Sequence, residues 1–205
     1  KKTIPVTFDL ASAACLSGEM IEQQILERYA TLLKYAESHP DLSDFLNNTF
    51  YQAIEKILRV SKKNWPGEYK KILNDDFRIL SPSDFGFHNI IQTKKGLKFI
   101  DFEYFGWDDP VKLVCDFLLH PAMNLTKSQK TIWLEEMNGI FSYDSNFKAR
   151  LSASYCLYGL CWCLIILNVY AQDNGNNKKQ AIRLSKSKKL LNHILRLNEK
   201  GVLYA

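Results

Sequence analysis

Glycine is sparse and never closely spaced in this sequence. The nine glycines stand at 18, 67, 86, 96, 106, 139, 159, 175 and 201, so G-x-G never occurs and no glycine-rich phosphate loop is encoded. Cysteines in pairs are missing too. Cys15, Cys115, Cys156, Cys161 and Cys163 are odd in number, and Cys161 and Cys163 make C-x-C rather than C-x-x-C, which excludes a disulfide scaffold and a zinc ribbon. Four of the five lie in apolar surroundings and read as buried, reduced thiols, which implies a cytoplasmic protein. The net charge of +5 is too small an excess to suggest a nucleic-acid partner. No apolar run of the signal-peptide kind follows Lys1-Lys-Thr-Ile-Pro5, and no repeat or low-complexity segment is visible.

What is present is apolar material: 46% of the 205 residues are hydrophobic and 24% charged, enough for a well-formed core. The 22 residues from Leu151 to Gln172 carry no charge and are long enough to cross a bilayer. Their Ser152, Ser154, Asn168 and Gln172, with no second span elsewhere, favour a single buried helix at the centre of a helical domain, with no membrane. Ser17 is placed to cap a helix over 18–38, ended by His39-Pro40, and Asp41 or Ser43 to cap a second running to about Val60. Helices follow near 110–120, 126–141, 146–172 and 178–198, with Asp173-Asn-Gly-Asn-Asn177 breaking the last two. The last is basic, and its lysines read as a solvated face opposite Ile182, Leu190, Leu191, Ile194 and Leu195.

Between the helical regions the pattern shortens. Phe77–Leu80, Ile90-Ile91 and Leu97–Ile100 read as strands, and Gln92-Thr-Lys-Lys-Gly96 as a turn with glycine at a positive φ. A hairpin over the last two brings the residues before Ile90 and after Ile100 to one end. Those residues are Leu80-Ser-Pro-Ser-Asp-Phe-Gly-Phe-His-Asn-Ile-Ile91 and Phe99-Ile-Asp-Phe-Glu103. Asp84 and Asn89 have the D-x-x-x-x-N spacing of kinase catalytic loops, and Asp101 opens a tripeptide where kinases carry D-F-G. Phosphoryl transfer needs a carboxylate on the acceptor hydroxyl and oxygen ligands that hold Mg²⁺ against the phosphates. Asp84 is the candidate base, and Asn89 and Asp101 are the candidate metal and nucleotide ligands. Alone, Asp84 and Asn89 also suit ordinary turns; the order of strand, turn, strand and D-F-E favours the kinase reading.

The stretch resembles the H-G-D-x-x-x-x-N … I-D-[FW]-E/G signature of the aminoglycoside phosphotransferase and choline kinase superfamily. Tyr104-Phe-Gly-Trp-Asp-Asp-Pro110 is similar to the E-Y-x-G-x-x-D-P segment that follows it there. The resemblance runs from about Ala11 to Ala205, and the region from Ser81 to Pro121 carries its specificity. It implies a mainly α (α+β) fold, the protein-kinase-like C-terminal lobe, as a helical bundle with a short catalytic-loop β-hairpin. It would form one lobe, with helical hairpins over 1–75, the catalytic loop and metal hairpin over 76–106, and a helical subdomain over 107–205. The activity implied is transfer of the γ-phosphate of ATP (or GTP), with Mg²⁺, to a hydroxyl of a small molecule such as an aminoglycoside, amino alcohol or sugar.

Some positions depart from the signature. Pro82 stands where the family has histidine; His88 either replaces it or packs structurally. Glu103, as in the choline-kinase branch, either touches a second metal or holds the loop. Asp108 and Asp109 are placed to brace the loop and cap the helix that opens at Pro110, and Asp116 needs donors, for which backbone N–H groups of the catalytic loop are the expectation. Residues 1–75 read as helical and offer no phosphate loop, so the resemblance covers the C-terminal lobe without an N-terminal β-lobe. The chain alone is then expected to be inactive, with an exposed apolar surface around Pro5–Leu10 and 81–106 that invites self-association. The other reading of the same residues is a kinase-like scaffold that works by binding.

Overall fold

The computed structural model describes residues 8–172 and 176–201, and 64% of these described residues are helical, with a few small antiparallel strand pairs. In chain order the elements are α1 (Gly18–Ala36), α2 (Pro40–Asp44), a π-helical turn (Phe45–Phe50) and α3 (Tyr51–Asn64). Next come β1 (Ile79–Ser81), β2 (Ile90–Thr93), β3 (Gly96–Phe99) and β4 (Gly106–Asp108). The chain closes with α4 (Pro110–Leu119), α5 (Lys127–Ile140), α6 (Phe147–Ile166), α7 (Val169–Gln172) and α8 (Asn177–Lys200). They sort into two compact units, one built from residues 8–16 and Ile72–Ser145, the other from Ser17–Lys71 and the described residues from Asn146 onward.

The second unit is all helix, with α6 packed by α1, α3 and α8. Ser17 caps α1 by accepting from the Met20 N–H at 3.2 Å, as its position in the sequence suggests. The following helix begins earlier than expected: Pro40 occupies its first turn and His39 the cap position, because proline's missing N–H costs nothing there. Through the π turn it continues to Asn64, burying Phe45, Leu46 and Phe50. In α8, Leu184, Leu191, Ile194 and Leu197 are buried, while Ile182 is 50% exposed and sits outside the apolar stripe. Of the break expected at Asp173–Asn177, residues 173–175 lie outside the described residues; α8 starts at Asn177 with Asn176 as its cap.

The uncharged stretch is a core helix, with one correction. The segment Phe147–Ala171 is long and apolar enough to cross a membrane, and 78% of its most apolar window is buried in the protein. It is two helices rather than one. After Ile166 the Leu167 and Asn168 N–H groups donate to Leu164 and Ile165, three residues back, and this tightening ends α6 before α7 restarts. Gly159 lets α8 approach α6, since a Cβ there would lie 2.6 Å from Ile194 Cγ2.

The first unit carries the strands. β1 pairs antiparallel with β4, Leu80 opposite Trp107, and β2 pairs with β3, Ile91 opposite Lys98. Thr93 and Gly96 close the hairpin, with Gly96 at φ +108° as its turn requires. Residues 9–11 run along β4: Trp107 N–H donates to Asp9 and Ala11 N–H to Trp107. A side chain on Gly106 would strike this backbone, so the strand needs glycine there. The β1–β4 pair has no counterpart in the sequence-based expectation. Three residues are too few for alternation to show.

Burial fixes how the α6 thiols behave. Burial pushes the Cys163 thiol above its ordinary range, and Cys161 is buried beside it. Both cysteines should therefore react slowly with a water-soluble thiol reagent until the protein is denatured. Rapid native-state labelling, followed by mass spectrometry, would contradict the core assignment.

Candidate active site

Two short pairings converge on one end of the first unit. Because β1 and β4 are antiparallel, the chain leaving Ser81 and the chain entering Gly106 start from the same end of that pair. The β2–β3 hairpin closes the loop between them, with Ile90 opposite Phe99. One further backbone bond, from Ile100 N–H to Asn89 C=O at 3.0 Å, extends the ladder past its last strand residue. Asp84, Asn89 and Asp101 are therefore held by backbone geometry close to a single place.

Asp84 is fixed on both sides. His88 Nε2 lies 3.1 Å from its Oδ1, and Asn89 Nδ2 donates to its carbonyl at 2.9 Å and to its Oδ2 at 3.3 Å. The Asn89 amide nitrogen is thereby engaged, which leaves its Oδ1 as the end able to meet a cation. Asp84 is nevertheless open to solvent, with 38% of its side chain exposed. Ser83 and Asp101 both adopt left-handed backbone, φ +63° and +64°, a conformation uncommon outside glycine and enriched at sites that hold ligands.

Asp101 and Glu103 are exposed. The Tyr104 phenol is hydrogen-bonded to Glu103, and that bond and charge, then slight burial, Asp101 and Asp84, raise its pKa. Asn89 Oδ1 and the Asp101 and Glu103 carboxylates offer oxygen donors alone, the chemistry that suits Mg²⁺ rather than a softer ion. A cleft of about 240 Å³ is lined by Asp84 and Asn89 and by apolar side chains including Phe85, Phe99 and Phe102. Phe87, Ile91, Leu97, Phe99, Ile100, Phe102 and Tyr104 are each between 42% and 58% exposed, and Leu10 is 49% exposed. Of the flank expected at Pro5–Leu10, residues 5–7 lie outside the described residues.

Histidine support comes from downstream. With proline at 82, His88 takes the bond to Asp84, and its ring stacks on His120 at 4.5 Å and 15°. Burial, then the neighbouring His88, lower the pKa of His120. His120 went unremarked in the sequence, and nothing in its spacing singles it out. Below the loop, Phe85 stacks on Phe99 and Trp133, and Phe117 on Trp133 at 4.0 Å.

Asp109 caps α4, accepting from Val111 N–H at 2.9 Å with Pro110 following, as expected. Asp108 is fully buried; its Oδ1 accepts from the N–H groups of Cys15, at 3.1 Å, and Asp109, at 2.8 Å. Asp116 accepts from the Lys112 ammonium at 2.7 Å, one helical turn back, a donor the expectation did not include. Lys112 lies 3.8 Å from Asp108 Oδ2 as well, so one buried cation serves two acids. The i, i+4 spacing of Asp108, Lys112 and Asp116 was the available signal.

Burial pushes the Asp108 carboxyl up to about 7, against the pull of Lys112 and the two N–H groups. Asp116 and Asp108 outweigh burial at Lys112 and hold it above its ordinary value. The two shifts give opposite signs. A carboxyl raised in the folded state weakens stability as pH climbs from about 4 to about 7, whereas the raised lysine contributes fully until pH passes its unfolded value of about 10.5. Lys112→Met should cost roughly 3–5 kcal/mol at neutral pH, the usual loss when a buried pair loses one partner. The deficit in denaturant melts should shrink toward pH 4, where Asp108 is protonated; a pH-independent deficit would refute the charge argument.

No protein-family model, no curated protein and no solved structure matches this chain.

Proposed function

We propose that this chain is the catalytic, helical lobe of an ATP- or GTP-dependent phosphotransferase that phosphorylates a hydroxyl of a small molecule, of the aminoglycoside phosphotransferase and choline kinase type. The observation that carries the reading is the junction of the two strand pairs. It gathers Asp84, Asn89 and Asp101 through the Ile100–Asn89 backbone bond and ties the Asn89 amide to Asp84. Turn-stabilising residues have no need of that convergence.

In this reading Asp84 takes the proton of the acceptor hydroxyl. His88 and Asn89 each hold one of its oxygens, so the carboxylate is aimed before substrate arrives. Asn89, Asp101 and Glu103 would hold Mg²⁺, which when bound neutralises charge on the phosphate oxygens. Phe85 and Phe102 shed water from the adjoining cleft. The exposed apolar side chains from Phe87 to Tyr104 supply a surface on which a nucleotide-binding lobe, or failing that a second copy, would pack. A cytoplasmic location accords with five cysteines of which four are buried. A kinase-like scaffold is the second reading, favoured by the missing G-x-G alone.

In the full-length protein, Asp84→Ala should lower turnover by on the order of 10²–10⁴, the range for losing a positioned base. Asp101→Ala should chiefly abolish Mg²⁺-dependent nucleotide use. Coupled assays against alcohols, sugars and aminoglycosides measure both, and near-normal turnover of Asp84→Ala would select the scaffold. Calorimetric titration of the 205-residue chain with Mg-ATP should show no tight binding, because its described residues supply no phosphate loop. Micromolar affinity would overturn the single-lobe reading.

A further inference from the structure

Asp84, His88 and His120 each offer one ligand atom, and these atoms all lie within 4.8 Å of one another. We propose that these three side chains form a second cation site, selective for a borderline transition ion, Zn²⁺ above all, and distinct from the all-oxygen set at Asn89, Asp101 and Glu103.

Donor chemistry separates the two. Two imidazoles and one carboxylate suit Zn²⁺ and its first-row neighbours, whereas Mg²⁺ prefers oxygen throughout. Zn²⁺ takes nitrogen and oxygen ligands at about 2.0–2.2 Å in tetrahedral sites, which sets neighbouring ligand atoms roughly 3.3 Å apart. His88 Nε2 and Asp84 Oδ1, at 3.1 Å, already stand at that separation, whereas the His120 ring, stacked nearly parallel on His88, has to rotate out of the stack to aim a nitrogen at the same ion. Its partial exposure leaves room for that rotation.

The His88 ring is seated rather than loose. A Cβ on Gly86 would lie 2.5 Å from its Cε1 and 2.7 Å from its Nδ1, with Met123 Sδ at 3.0 Å, so glycine at 86 makes room for the imidazole. His120 closes α4, whose position is set by the Asp108–Lys112–Asp116 cluster. One contact competes: the Ala122 N–H donates to His120 Nδ1 at 3.2 Å, and this bond is lost whichever ring nitrogen binds the ion. The remaining positions face solvent, since His88 and Asp84 are 32% and 38% exposed, so water completes the coordination. Three protein ligands and an open position describe a reversible site rather than a closed structural one.

Occupancy has a consequence that rests on the proposed function. An Asp84 oxygen bound to Zn²⁺ cannot take a proton from an acceptor hydroxyl, so the ion switches the base off. Zinc becomes an inhibitor that acts beside the Mg²⁺ site, not in it.

Titration with Co²⁺ alone, followed by its visible d–d absorption, tests the site without any activity. One equivalent should bind the 205-residue chain with micromolar affinity and the intensity of four- or five-coordinate cobalt. A tenfold or greater weakening should follow His88→Ala and, separately, His120→Ala, with circular dichroism confirming that each variant folds. Stoichiometric Zn²⁺ should displace the cobalt and millimolar Mg²⁺ should not. Absence of the spectrum, equal binding by the His120→Ala chain, or displacement by Mg²⁺ would each overturn the proposal. In the full-length protein, Zn²⁺ should inhibit phosphotransfer and His120→Ala should relieve that inhibition at least tenfold. Cobalt binding with no phosphotransfer under any condition would leave this site standing and reject the kinase reading instead. Phosphotransfer without cobalt binding would do the reverse.

Discussion

One buried carboxylate organises the first unit. Asp108 has no exposure, yet it meets the N–H of Cys15, the N–H of Asp109 and the charge of Lys112. Those partners belong to the N-terminal segment, to the β4–α4 junction and to the helix itself. Asp108 Oδ1 takes both N–H groups, whereas Oδ2 has no hydrogen bond and only the Lys112 charge at 3.8 Å, so displacing Lys112 or either donor raises the cost of burying the ion. β4 is thereby pinned at its C-terminal end, and through its pairing with β1 so is the chain that leads into Asp84. The loop that carries Asp84 is anchored by an acid that lies outside it.

Much of this was legible in the residues. Ser17 before an apolar period, Asp109 before Pro110, and Gly96 in a polar turn are local signals whose physics acts over a few residues, and the structure follows each. The convergence of Asp84, Asn89 and Asp101 was readable because the hairpin that joins them is continuous in sequence. What escaped depends on partners distant in the chain or on elements too short to carry a pattern. β4 is three residues long and finds β1 across more than twenty. The restart of the helix at Val169 has neither proline nor glycine to announce it. His120 gains meaning only when α4 carries it to His88. The partner of Asp116 was within reach of simple helical spacing, and the apolar look of the helix hid it.

The two groups of side chains around Asp84 divide the loop's tasks. Asn89 belongs to the backbone ladder and holds the acid from one side, with a carbonyl bond that does not depend on ionisation. His88 holds it from the other, its ring stacked on His120. The imidazoles place nitrogen donors beside Asp84, where proline at 82 offers none.

The β2–β3 hairpin has a dynamic implication. All four residues of β3 are exposed, and two-stranded pairs with so little buried surface sit at the low end of a protein's local opening energies. Amide protons of Ile91 and Lys98 should then exchange through brief fraying events, without the helices letting go. Each such event breaks the bond from Ile100 to Asn89 and lets Asp101 drift from Asp84, so the spacing of the acids fluctuates on the clock of the hairpin. A partner lying across Leu97, Phe99 and Ile100 would slow that clock, and the loop would become as rigid as the surface that covers it.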